Sequence, residues 1–270
     1  MKAARLLNKK AFRERGRAFL AEGPQAVREA LAEPGVLTEL FVTGQGRIRH
    51  PELTDQAVRQ GAVVHEVSGE VMTELAQTIT PQGVLAVCRF IDIPLAKLLA
   101  AAPRLVVVLA GVRDPGNAGT VLRTADGAGA DGVVFAATSV DPYNSKCVRS
   151  SAGSLFHLPV VVGAELAAAL AGLREAGLQI LAADGSASRI LDAPVGGPDL
   201  AKPTAWMFGN EAWGLPGSLL EQADTAVAVP LYGKAESLNL AAAAAICLYA
   251  SARGLHGSRN LAEGRKHGEN

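Results

Sequence analysis

The sequence predicts an α/β protein in which a small α/β unit precedes a larger one built on a parallel sheet. Three observations carry this expectation. Six apolar, β-branched runs, Val106–Leu109, Gly132–Ala136, Pro159–Val162, Leu178–Ala182, Thr204–Phe208 and Thr225–Val229, have the near-continuous hydrophobicity of strands buried on both faces. Helix-like stretches separate them, which implies parallel pairing through right-handed crossovers. Ahead of them Ile91–Pro103, with Pro94 and Pro103 around an alanine-rich segment, reads as a linker. The expected domains are therefore 1–90 and 104–257, joined by 91–103 and followed by a frayed polar tail, 258–270.

In the first unit residues 2–16 read as a helix, and Glu22-Gly23-Pro24 opens a second one, with Pro early in its first turn, running to Ala32. Leu37–Thr43 then reads as a strand, Leu53–Gln60 as a helix, Ala62–Val67 as a strand, Glu70–Ala76 as a helix and Val84–Cys88 as a strand. In the second unit Thr120–Gly127 is helical, Ala193–Lys202 is a Gly- and Pro-rich surface loop, and Leu240–Ala250 forms a small-residue helix face.

Composition sets the broad class. At 270 residues, with 49% hydrophobic and 19% charged positions, the chain is globular rather than disordered. Lys plus Arg and Asp plus Glu both total 26, so no global field draws in a polyanion. Seven basic residues nevertheless fall within the first 17 positions, against one acid, Glu14, and such a patch suits phosphates. Aromatic content of 4% leaves few stacking surfaces for bases. Cys88, Cys147 and Cys247 are widely spaced, which argues for a reducing, cytoplasmic setting and against structural zinc. Phe19–Leu31 is too broken for a secretory core, and Leu238–Ala250 is too short to cross a bilayer.

Gly127-Ala-Gly129-Ala-Asp-Gly132 matches a dinucleotide fingerprint literally, but its context is reversed. The fingerprint must follow a strand and open a helix, whereas here a helix precedes it and a strand follows. It reads as a helix stop, so the dinucleotide-cofactor reading of this segment is rejected, and a nicotinamide-dependent oxidoreductase stays only as the last of the alternatives.

Three other segments do stand at the mouths of strands: Arg113–Thr124, Phe208–Leu215 and Val229–Asn239. Open α/β sheets bind ligands beyond the carboxyl ends of their strands, so three such loops imply one composite site. Asn117 opens a helix that carries Arg123, Glu211 needs water or a cation as partner, and Arg123 is the candidate cation. Ser237 and Asn239 flank Leu238 where the last helix starts, a place that favours anions.

These loops resemble the three signature motifs of the TrmH/SpoU family of RNA ribose 2′-O-methyltransferases, of the SPOUT superfamily. Asn117-Ala-Gly119 to Arg123 resembles N-x-G-x-x-x-R, Gly209-Asn-Glu211-Ala-Trp-Gly214 resembles G-x-E-x-x-G, and Pro230 to Asn239 resembles P-x-x-G-x-x-x-S-L-N, in matching order and spacing. Val148 to Gly153 resembles the family's V-R-x-S-x-G stretch. Phe19–Pro24 and Pro81–Val84 resemble the start and end of an L30e-like substrate-binding domain.

The resemblance implies a trefoil-knot SPOUT methyltransferase domain after a small L30e-like domain, acting as a homodimer through the C-terminal domain. It implies S-adenosylmethionine (SAM) as cofactor, held by Phe208, Gly209, Asn210, Val229, Leu231, Ser237 and Leu238, with no metal. The family usually has Ile and Met where this chain has Val229 and Leu231, which keeps the pocket apolar. Arg123, Asn117, Glu211, Ser237 and Asn239 form the implied catalytic set. Arg149, Ser151, Lys9, Lys10, Arg13 and Arg17 are the implied RNA contacts. The implied activity is methylation of a ribose 2′-hydroxyl in 23S rRNA, with tRNA methylation, thiopeptide-resistance methylation of rRNA and a non-catalytic RNA scaffold as alternatives.

Overall fold

In the computed structural model, which describes residues 1–266 apart from Gln77 and Pro194 and only the backbone of 258–266, the chain divides into two units. The first comprises Met1–Ile91 and Asp141–His157, and the second comprises Asp92–Val140 and the residues from Leu158 onward.

The first unit is built on four strands, β1 (Ala18–Glu22), β2 (Leu37–Thr43), β3 (Val63–Val67) and β4 (Val84–Arg89), in the order β1-β4-β2-β3. β4 runs antiparallel to β1 and β2, while β2 and β3 are parallel. Strand β1 is absent from the sequence expectation, because its five residues include two alanines and abut a helix signal on each side. The expected single helix over 2–16 is two, Lys2–Leu6 and Lys10–Gly16. Arg17 leaves the second in the left-handed conformation, at φ 47°.

Asp141–His157, which the sequence assigns to the second domain, packs within the first unit. Arg13, only 4% exposed, donates from Nε and Nη2 to one Asp141 oxygen at 2.9 and 2.7 Å. Tyr143 stacks on Phe90 at 3.8 Å between centroids and lies 4.7 Å from Phe19, and its hydroxyl accepts from the Ile91 amide. The helix Ser145–Ser150 packs on β1. This unit is thus completed by a segment fifty residues downstream of its last strand.

The second unit holds a six-stranded, wholly parallel sheet of β5 (Leu105–Leu109), β6 (Gly132–Ala136), β7 (Val160–Ala164), β8 (Gln179–Ala183), β9 (Thr204–Phe208) and β10 (Thr225–Val227). Its order is β10-β8-β9-β5-β6-β7. Every residue of β5, β6 and β9 is buried, as expected of central strands covered on both faces. The segment expected as a linker contains the helix Leu95–Ala100, whose Leu98 joins this core. Gly129, at φ 70°, follows the helix Pro115–Gly127 and precedes β6, so the glycine triplet is a helix stop.

Because the strands are parallel, the loops after β8, β9 and β5 leave the same edge of the sheet side by side. The final helix, Leu240–Lys266, returns across Pro115–Gly127 and β9. Trp206 on β9 donates to Ser251 on that helix at 2.8 Å, and the Tyr249 hydroxyl donates to the Gly127 carbonyl. The helix continues past 257, where the sequence suggests fraying; the end of the expected tail, 267–270, lies outside the described residues. Among the described residues no helix is long and apolar enough to cross a membrane.

Candidate active site

The loop after β5 turns at Gly111 and enters its helix through Asp114, whose side chain accepts from the Asn117 amide at 2.8 Å. Asp114 is therefore the N-cap, which leaves the Asn117 side chain available for longer-range contacts. The loop after β9 closes on itself: the Asn210 and Gly214 backbones exchange hydrogen bonds at 3.0 and 2.9 Å. Gly209 is obligatory here, since a Cβ would lie 2.5 Å from the Gly214 carbonyl group. Asn210 Nδ2 donates to the Gly111 carbonyl, tying this loop to the first.

Glu211 makes the central connection. Its two oxygens accept from the backbone amides of Arg113 and Asp114 at 3.1 and 2.9 Å, and Asn117 Nδ2 donates to it at 3.4 Å. Asn239 Nδ2 in turn donates to Asn117 Oδ1 at 3.1 Å, while Asn239 Oδ1 accepts from the Ala241 amide. One hydrogen-bonded chain, Glu211 to Asn117 to Asn239, therefore joins all three loops. Partial burial pushes the Glu211 carboxyl up, but the amides of Arg113, Asp114 and Glu211 itself, with Asn117, outweigh it. The group is held below its ordinary value of 4.5.

Beside this chain lies a cavity of about 250 Å³. Its lining includes all seven residues expected to hold the cofactor: Phe208, Gly209, Asn210, Val229, Leu231, Ser237 and Leu238. The sequence missed Ala183, Asp184 and Gly185, which also line it. The available signal was an Asp-Gly pair at the carboxyl end of a buried strand, the same rule that found the other loops. Among the described residues no cluster of His, Cys, Asp and Glu suits a metal.

Arg123 stands apart from these groups. Sequence alone pairs it with Glu211; the structure seats Glu211 instead on the backbone amides of Arg113 and Asp114, just ahead of the helix. Arg123 is exposed on that helix, about 9 Å along the axis from Asn117 at ~1.5 Å per residue, and is not among the cavity's lining residues.

Two expected RNA contacts are corrected. Arg13 is consumed by Asp141, and its Nη1 donates to the Leu7 carbonyl, so it faces the interior. Ser151 is wholly buried and donates to the Val148 carbonyl. Arg149 reaches Glu22 at 3.4 Å, and the Arg17 guanidinium lies 4.6 Å over the Phe90 ring. Lys9 and Lys10 are exposed.

Comparison with known proteins places these features. Residues 104–249 match the SpoU rRNA methylase family, and residues 1–86 match the MRM3-like substrate binding domain. The 23S rRNA (guanosine(2553)-2′-O)-methyltransferase RlmP of Bacillus subtilis is 38% identical over 243 residues, covering 90% of this chain and 92% of that protein. The crystal structure of an AdoMet-bound rRNA methyltransferase from Sinorhizobium meliloti superposes with a TM-score of 0.78 at 31% identity, covering 94% of each chain. The AdoMet complex of the SpoU methyltransferase AviRb from Streptomyces viridochromogenes gives 0.81 at 27% identity, covering 95% of this chain and 98% of that one. Matching along both parts of its length, with its motif loops joined at one sheet edge, the chain belongs to the SpoU rRNA methylase family.

Proposed function

We propose that this chain transfers the methyl group of SAM to a ribose 2′-hydroxyl of 23S rRNA in the cytoplasm. The observation that carries the reading is the Glu211–Asn117–Asn239 chain, which fixes three loops around one cavity. The cavity suits SAM by its own chemistry. Val229, Leu231 and Leu238 supply apolar walls for an adenine, and Gly209 brings bare backbone to the rim. Asp184 and Glu236 offer carboxylates to ribose hydroxyls or an ammonium group. When bound there, SAM supplies an electrophilic methyl on a sulfonium.

The chain's own residues supply position. Holding the loops rigid lets the 2′-oxygen be presented in line, and such orientation accounts for much of the barrier reduction in bimolecular transfers. Arg123 is too weak an acid to act as a base in its resting form. Exposed and uncommitted to Glu211, it holds an RNA phosphate bidentately and stabilises charge developing on the 2′-oxygen. The first unit holds the RNA. The second unit pairs with another copy through the groove bearing Leu231, Tyr232, Ile246 and Tyr249, all exposed; light scattering reads that dimer mass.

Tritiated-methyl transfer to 23S rRNA fragments tests the reading. Arg123→Ala abolishes transfer while SAM binding, followed by calorimetry, survives. Loss of SAM binding with RNA binding intact overturns the role given to Arg123, and absence of transfer by the unaltered chain to any 23S fragment overturns the activity.

A further inference from the structure

Two tryptophans occur in 270 residues, and the structure uses them in opposite ways. Trp206 is wholly buried on β9 and donates to Ser251, as a core indole should. Trp213, seven residues later on the loop from the same strand, is 63% exposed. An exposed indole forgoes the burial that makes the residue useful in a core. Its mount is nonetheless rigid. The Asn210–Gly214 exchange closes the loop beneath it, Asn210 Oδ1 accepts from the Ala212 amide, and Asn210 Nδ2 anchors the loop to Gly111.

The position is specific. Ala212 and Gly214, on either side of Trp213, line the cavity, whereas Trp213 is not among its lining residues and stands outside the rim. The Arg113 guanidinium lies 5.8 Å from the indole centroid, within the reach of a cation–π contact. The Arg113 amide meanwhile donates to Glu211. An indole and a guanidinium thus flank the residue that organises the reacting loops, on the solvent side of the cofactor cavity.

We propose that Trp213, partnered by Arg113, is the platform on which the base of the acceptor nucleotide stacks while its ribose enters the site. The inference rests on the methyl-transfer reading and adds the element that positions the second reactant. The cavity takes the cofactor, so the nucleotide approaches across the rim, where Trp213 offers an exposed aromatic face beside Ala212 and Gly214. Stacking on indole suits any unpaired base, because every base offers a π face. The flat guanidinium of Arg113 stacks or binds phosphate in a way that Lys cannot reproduce.

Steady-state methylation, SAM calorimetry and tryptophan emission test this together on the full chain. Trp213→Ala raises the KM for RNA roughly 5- to 150-fold, the range for loss of one stacked base, with SAM affinity unchanged. Trp213→Phe recovers most of the loss, and Arg113→Lys gives a smaller rise. Unpaired oligoribonucleotides quench the emission of the unaltered protein, and the quenching disappears in Trp213→Ala, which keeps only the buried Trp206. The proposal falls if Trp213→Ala methylates with unchanged KM, or if RNA leaves the emission unchanged. It also falls if acrylamide cannot reach Trp213 in the free protein, which would mean that a second copy covers it. Should the unaltered chain transfer no methyl group, the activity reading fails, and the quenching arm still decides for or against the platform.

Discussion

Two carboxylates, one in each unit, show how differently this chain secures an acid. Asp141 in the first unit has a side chain only 10% exposed and is held by the Arg13 guanidinium. Glu211 in the second stays at the surface and is held by the amides of Arg113 and Asp114. Asp141 consumes a cation and becomes scaffold. Glu211 takes its stabilisation from backbone amides at a helix entry, so no cation is consumed in holding it.

The sharpest way to break this comparison is to remove the cation from the first unit. Arg13→Ala leaves Asp141 nearly buried without its counter-charge, and such losses cost about 3–5 kcal/mol. Urea denaturation of the full chain checks this. A cost under about 1 kcal/mol would return Arg13 to the pool of RNA contacts. Replacing both partners with apolar residues of similar volume recovers much of the loss, since a buried pair adds little beyond a hydrophobic substitute.

A smaller effect follows at Glu211. Glu211→Gln keeps the shape but loses the charge that the two amides complement. Hydrogen bonds to a charged group exceed neutral ones by about 1 kcal/mol or more, so kcat/KM falls about tenfold while SAM still binds. The pH dependence has a defined sign. Because the folded-state value lies below 4.5, the carboxylate's contribution to stability is fully present above that pH. It is lost as pH falls through the depressed folded value. The stability difference between the unaltered chain and Glu211→Gln is therefore flat near neutrality and closes below pH 4.5. A difference that persists unchanged into strong acid would remove Glu211 from its central place.

How much the sequence disclosed follows the same division. The sheet of the second unit was legible because buried parallel strands are long apolar runs, and the site was legible because its loops inherit their place from that sheet. Asn117, Glu211 and Asn239 needed only strand polarity and motif order to be brought together. The partner of Glu211 was not legible, since side-chain pairing is settled by which donors the fold leaves unsatisfied. The first unit hid more. Charge counts put Arg13 with Lys9 and Lys10, but the side of a short helix on which each falls depends on the broken 2–16 stretch and on Asp141, far along the chain. A linear boundary between 90 and 104 likewise could not show Asp141–His157 rejoining the first unit. The knot entered through resemblance alone, because hydrophobic periodicity carries no record of threading.

The least effect is expected where charge alone was the guide and the structure leaves the residues outside. Lys9 is exposed, and Lys10 pairs with Glu14 at 3.7 Å with both side chains about 60% exposed, a surface contact of little worth to stability. Replacing both with Gln leaves the urea midpoint in place. If the pair neutralises two phosphates of unpaired RNA, each contributes about 0.7 to the slope of log affinity against log salt, and the double variant lowers that slope by about 1.4. A uniform loss of affinity with an unchanged slope would mean that the lysines shape the helix rather than meet the RNA. An unchanged affinity would confine the RNA surface of the first unit to other elements. Because Arg13 is buried a few residues away, the same titration on Arg13→Met separates the two fates of a basic residue: stability moves in one variant, the salt slope in the other.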